Sequence, residues 1–153
     1  MKTTVLFCGA VLCLLPSAVQ ARRPAALFVA ATDTKWTDLP EEPGVKFAAV
    51  EGDPHRGPAH FFLKFPPGFT AAKHHHTADH YGTVVSGNLI LTVDEGVKLL
   101  PPGSFFAFAG QTKHAVRCDP ATECVVFVDA RGKWDNVVAY EARSATRSRG
   151  QKP

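Results

Sequence analysis

The sequence predicts an all-β sandwich or barrel, and three observations carry that prediction. Short segments rich in Val, Leu, Ile and Phe recur at regular intervals between turns built from Gly and Pro. No segment before residue 133 carries a convincing helical period. The chain of 153 residues with 45% apolar content is enough for one closed core, so a second domain is not expected.

In chain order, Lys2, the apolar run Val5–Leu15, Pro16 and the small residues ending at Val19-Gln20-Ala21 read as a secretory signal over residues 1–21. The run is short for a bilayer span; a membrane anchor or a buried strand is the alternative reading. Neither Cys8 nor Cys13 follows the small residue that a lipid-attachment signal needs. The mature protein is expected to start near Arg22, to be secreted or periplasmic, and to touch no membrane once the signal is cleaved.

A single domain is expected over 22–142. Ala25–Ala30 is an apolar run fit for an edge strand, and Leu27–Ala31 could supply the edge of a homodimer. Trp36 is expected to anchor a loop. Val45–Val50 is a strand stopped by Gly52-Asp53-Pro54, and His60–Phe65 is a strand with Phe61, Leu63 and Phe65 on its core face. Pro66-Pro67-Gly68 breaks that strand and leads into the histidines. Tyr81–Val85 and Asn88–Val93 read as strands joined by a tight hairpin at Ser86-Gly87-Asn88, where Gly permits positive φ. Asp94-Glu95-Gly96 supplies the next turn. Val97–Leu100, Ser104–Phe108, His114–Arg117 and Val125–Asp129 continue the pattern. Trp134–Tyr140 reads as one last strand or a short helix. From Arg143 the chain has no acid and no large apolar residue, so 143–153 is expected to be a disordered basic tail.

Charge and cysteine content narrow the chemistry. Formal net charge is +3, and removal of Lys2 with the signal leaves 16 basic against 14 acidic residues, a balance that gives nucleic-acid binding no support. Removal of the signal also leaves only Cys118 and Cys124. In an oxidising compartment they can pair across a hairpin; buried free thiols or metal ligands are the alternatives. No Ser-His-Asp order, phosphate loop or CxxC is present.

The chemistry-bearing stretch is His74-His75-His76-Thr77-Ala78-Asp79-His80, which holds four of the seven histidines. His74 and His76 are two apart, so on a strand they project from one face while His75 projects from the other. His80 has the same parity but would lie roughly 13 Å along a straight strand at about 3.3 Å per residue. The chain is therefore expected to bend or bulge through Thr77-Ala78-Asp79 to bring His80 back. An exposed polar tract is the bland alternative for such a run. Asp79 and Tyr81 flank His80 and could orient it or shuttle a proton, or be a turn residue and a barrel aromatic. His55 and His60 are assigned to the surface.

With His114 added, these residues resemble the cupin superfamily. Gly68, His74, His76, His80 and Gly87 fall on the spacing of its first motif, with His80 where a glutamate is usual. Gly103, Gly110 and His114 match its second motif, with Phe108 or Ala109 in the place of the usual proline and three residues between Gly110 and His114. The resemblance covers roughly Trp36–Asp129 and is closest in phrasing to small bacterial single-domain cupins similar to the cupin-like domain of an anti-sigma factor. It implies a double-stranded β-helix and one divalent ion (Fe, Mn, Ni, Cu, Co or Zn) on His74, His76, His80 and His114. It does not fix the reaction. Two open positions on such an ion suit a metal-dependent oxygenase or related oxidoreductase acting on a small organic molecule, with anionic ones favoured by the ion's uncompensated charge. A non-catalytic sensor or ligand-binding module is the alternative.

Overall fold

A computed structural model describes residues 26–139; the expected signal (1–21), with Cys8 and Cys13, and the expected basic tail (143–153) lie outside the described residues. Two antiparallel sheets face each other. The first is ordered β1 (Thr37–Asp38), β2 (Lys46–Gly52), β3 (Ala59–Phe65), β10 (Cys124–Ala130), β5 (His80–Ser86), β8 (Phe105–Phe108). The second is ordered β11 (Val137–Val138), β4 (Thr70–His75), β9 (His114–Cys118), β6 (Leu89–Val93), β7 (Gly96–Leu100). Among the described residues the one helical element is a 3-10 turn at Ala31–Asp33, and no helix is long and apolar enough to cross a membrane.

Alternation of side chains places the core between the sheets. On β3, Ala59, Phe61, Leu63 and Phe65 are buried while His60, Phe62 and Lys64 point outward; on β10, Cys124, Val126, Val128 and Ala130 repeat the pattern in register. Leu89 and Leu91 of β6 close the core from the other sheet. Removing a large apolar side chain from water stabilises by about 1.5–3 kcal/mol. The period-2 pattern on β3 thus fixes its register as well as its face.

Three expectations are corrected. Residues 26–30 form no strand, and Leu27, Phe28 and Val29 are exposed; the edge of the first sheet is β1 instead. Ser86-Gly87-Asn88 is not a hairpin: β5 pairs with β10 and β8, β6 pairs with β9 and β7, and the turn carries the chain from one sheet to the other. Gly87 is needed there, with φ of 73° and an added Cβ that would sit 2.2 Å from the Glu123 carbonyl oxygen. Cys118 and Cys124 are paired, with Cα atoms 5.7 Å apart, but the bond joins β9 to β10 across the two sheets instead of closing a hairpin. The expected bend through Thr77-Ala78-Asp79 is present: bends at Thr77 and Ala78 follow β4 and carry the chain to the facing sheet, where His80 opens β5.

The open question at Trp134–Tyr140 resolves, over its described part, into the short strand β11, whose Val137 and Val138 pair with His75 and His74. Trp36 is half-buried outside the first sheet, its ring 6.4 Å from that of Phe62, with the Lys64 ammonium 4.6 Å from its centroid. Asp94-Glu95 forms the expected turn between β6 and β7.

Candidate metal centre

The four singled-out histidines converge between the sheets. His74 and His114 are cross-strand partners on β4 and β9. His76 lies one residue past the end of β4 on the same face as His74, and His80 opens β5 on the facing sheet. All four are buried, with exposures of 6%, 5%, 3% and 2% for His74, His76, His80 and His114. The nitrogens of His74, His76 and His114 lie within 4.8 Å of one another, a set that could hold a metal ion. His80 stands beside this triplet, its ring centroid 4.7 Å from His76 and 5.6 Å from His114.

The hydrogen bonds decide which nitrogen each ring presents. His74 Nδ1 lies 2.7 Å from the Ala72 carbonyl and His114 Nδ1 lies 2.9 Å from the Thr112 carbonyl, while His76 Nδ1 meets the Asp135 carbonyl. A carbonyl only accepts, so each Nδ1 donates and a neutral ring must offer its Nε2 lone pair to the cavity. Such outer hydrogen bonds fix the tautomer and orientation of ligating imidazoles. His80 differs: its buried Nδ1 has no hydrogen-bond partner.

Burial keeps His76, His80 and His114 neutral. Desolvation drives His76 down to about 3, outweighing the Asp135 carbonyl, which pulls the other way. His114 is lowered to about 4 by burial against the opposing Thr112 carbonyl. His80 is also lowered to about 4 by burial; the Ala78 backbone opposes this without completing a hydrogen bond at Nδ1. Neighbouring imidazoles add mutual repulsion. Neutral rings are the form that ligates a metal.

The loops around the site are tied to one another. The Asp79 carboxylate accepts from the Gly110 backbone N–H at 2.7 Å, and Gln111 N–H donates to the His76 carbonyl at 2.7 Å. A Cβ at Gly110 would sit 2.4 Å from the Thr77 carbonyl oxygen, so this close approach explains the glycine. Asp79 is therefore a turn residue holding the two motifs together. Tyr81 lies on the outer face of β5, stacked near Phe105 at 6.2 Å with the Arg131 guanidinium 5.0 Å from its ring; it does not reach the cavity. His75 points away from His74 as its parity requires and is half-buried. His55 is exposed. His60 is partly buried on the outer face, 3.1 Å from Glu51 and 3.4 Å from Asp129.

Four residues of the site escape sequence reasoning. The Trp134 ring stacks on His76 with centroids 3.7 Å apart and meets His80 edge-on at 5.1 Å. Asp135 accepts from Thr77 N–H at 2.8 Å and Thr77 Oγ1 at 2.6 Å, fixing the loop that carries His76. Glu42 and Asn136 line the same cavity as the imidazoles, and Asn136 Nδ2 donates to Glu42 Oε1 at 3.0 Å. No spacing rule links residues near 42 or 135 to the histidines; the lone cue was a tryptophan following the last core strand. The cavity itself is about 90 Å³, walled mainly by apolar side chains such as Val45, Leu63, Leu91 and Val128.

Residues 61–129 match the cupin domain family, a span from β3 to β10 that includes all four histidines. No curated protein matches the sequence significantly. Among solved structures, the chain is similar to KdgF from Halomonas sp. (23% identity, TM-score 0.58, covering 69% of this chain and 94% of that one). It is similar to the polyketide cyclase RemF from Streptomyces resistomycificus (17% identity, TM-score 0.61, covering 76% and 87%). An RmlC-like cupin from Shewanella frigidimarina also aligns (22% identity, TM-score 0.56, covering 68% and 89%). At these identities the likeness is one of fold. The two facing sheets, the histidines converging between them and the domain match over 61–129 make the chain a member of the cupin superfamily.

Proposed function

We propose that the protein is a metal-dependent enzyme acting on a small organic molecule, with His74, His76, His80 and His114 holding one divalent first-row ion. The observation that carries this reading is the set of three Nδ1 atoms tied to backbone carbonyls, which turns three buried Nε2 atoms toward a common point. Imidazole donors suit Fe, Mn, Co, Ni, Cu or Zn and disfavour Ca and Mg, which prefer oxygen. A place for His80 as the fourth ligand is supported by its buried ring, which faces the same cavity, 4.7 Å from His76 and 5.6 Å from His114 between centroids, and by its Nδ1, which is held by no hydrogen bond.

When bound, the ion would supply Lewis-acid polarisation of a coordinated oxygen and, for a redox-active metal, electron exchange with dioxygen. The chain does the rest. Four neutral imidazoles cancel none of the ion's charge, which favours a carboxylate, enolate or other anionic or chelating ligand. The apolar walls exclude water and strengthen that attraction. Asp79 is committed to Gly110 and Tyr81 lies outside, so few side chains besides the imidazoles and Glu42 can move a proton. That scarcity favours an oxygenase or related oxidoreductase over acid–base chemistry, and equally supports the second reading, a non-catalytic ligand-binding module. The Cys118–Cys124 bond supports an oxidising, extracytoplasmic setting.

Elemental analysis of protein purified from its native compartment tests the reading, alongside His74→Ala, His80→Ala and His114→Ala. Near-stoichiometric metal lost in the variants is expected; metal-free wild-type protein would sink the reading. Oxygen consumption with a panel of small acids then separates enzyme from binder, and an anaerobic repeat separates oxygenase from lyase or isomerase chemistry.

A further inference from the structure

The cavity has two polar regions of different character. One is the histidine group. The other is Glu42 with Asn136, the one carboxylate and the one carboxamide among the described residues that line it. We infer that Glu42 and Asn136 form a second recognition pole, selecting a small organic acid that carries a hydroxyl or ammonium group at the end away from the imidazoles. This deepens the proposed function and rests on it.

Both residues are held from two sides. Glu42 sits in the loop between β1 and β2, where Glu42 N–H donates to Leu39, Val45 N–H to Glu42 and Leu39 N–H to Val45, at 3.1, 2.9 and 2.9 Å. Val45, 1% exposed, anchors that loop in the core. Asn136 lies between Asp135, which is bonded to Thr77 and His76, and Val137 of β11. The Asn136 amide is oriented by its donation to Glu42 Oε1, since a carboxylate accepts.

The pair is not saturated by its own bond. A carboxylate offers about four acceptor sites, and Asn136 takes one; the amide keeps a second N–H and its carbonyl. A hydroxyl or ammonium group can fill these sites. A methyl group pressed against them leaves the carboxylate's remaining acceptor sites desolvated and unfilled, which is the condition under which a polar site rejects the analogue that lacks the donor. A second anionic group at this end meets like charge. The imidazole pole and the Glu42 pole thus ask for opposite ends of one molecule: an anionic or carbonyl ligand for the ion, a donor for the carboxylate.

The test uses the full chain loaded with Co(II), whose visible absorption reports ligand binding at the ion. Propionate, 3-hydroxypropionate and β-alanine are titrated, then butyrate, 4-hydroxybutyrate and 4-aminobutyrate, so that reach and end-group vary separately. At least one donor-bearing acid is expected to bind about tenfold or more tightly than its methyl-ended match. Glu42→Gln keeps an acceptor for Asn136 and removes only the charge; it should bring the ammonium preference toward unity while cobalt content and affinity for the methyl-ended acid hold. Asn136→Ala, at an exposed position, provides a second variant and should also lower the preference. Loaded protein that shows no donor preference, or a preference undiminished in both variants, overturns the inference alone. Protein that takes up no cobalt overturns the metal reading, and this inference with it.

Discussion

Three of the four cavity imidazoles have their tautomer chosen by a carbonyl, and the fourth has no such constraint. Loss of a locked ring should therefore cost more than loss of the free one. His74→Ala or His114→Ala is expected to abolish stoichiometric metal, whereas His80→Ala leaves a three-histidine site of lower affinity; equilibrium dialysis against a chelator series reads the difference. His80→Glu is expected to retain the ion and tighten it by about tenfold, ~1.4 kcal/mol, because a carboxylate cancels one unit of charge that imidazole does not. Competition with a chromogenic chelator measures that shift. The histidines were legible in the sequence because parity along a strand is a local rule: His74 and His76 share a face wherever the strand lies. Glu42, Trp134 and Asp135 were not, because their roles arise from chain segments that meet only after both sheets have closed.

At the level of elements, the strands were readable and their partners were not. A Gly-containing turn looks the same whether it folds a chain back beside itself or carries it to an opposite sheet, so Ser86-Gly87-Asn88 could not announce that β6 leaves β5 for the facing sheet. The disulfide, and not a hairpin, is what ties β9 to β10 at this end. Its reduction returns to the unfolded chain the entropy that a short closed loop withholds, about 2 kcal/mol, and should lower the urea midpoint accordingly, with Cys118→Ala/Cys124→Ala behaving like the reduced protein. The segment before β11 is a strap over the site. Burial pushes the Asp135 carboxyl up, but the two Thr77 hydrogen bonds outweigh it and hold it below the ordinary carboxylate range. Asp135→Ala frees the loop bearing His76, and metal affinity is expected to fall about tenfold with the β-sheet circular dichroism unchanged.

Across the whole molecule, two sheets enclose a cavity in which basic rings are kept uncharged, and this links folding to pH. An unfolded imidazole titrates near 6.5, whereas burial lowers His76 to about 3 and His80 and His114 to about 4 in the fold. Between those limits the unfolded chain binds protons that the native chain refuses, so unfolding takes up protons and stability rises with pH. Above about pH 7 all three rings are neutral in both states, and their contribution is flat. As pH falls through 6.5 toward 4 the unfolded state gains about 1.4 kcal/mol per group for each unit, and three groups together reach several kcal/mol, a large part of a domain's total stability. Metal raises the plateau, since an ion that binds only the native site adds to its stability, and steepens the acid limb, since protons must displace it. Urea midpoints at pH 8, 7, 6, 5 and 4, with and without chelator, measure both effects. Metal-free protein should hold a constant midpoint from pH 8 to 7 and lose it progressively below 6.5; a midpoint that stays level down to pH 5 would mean that these imidazoles reach solvent and carry their protons in the folded state.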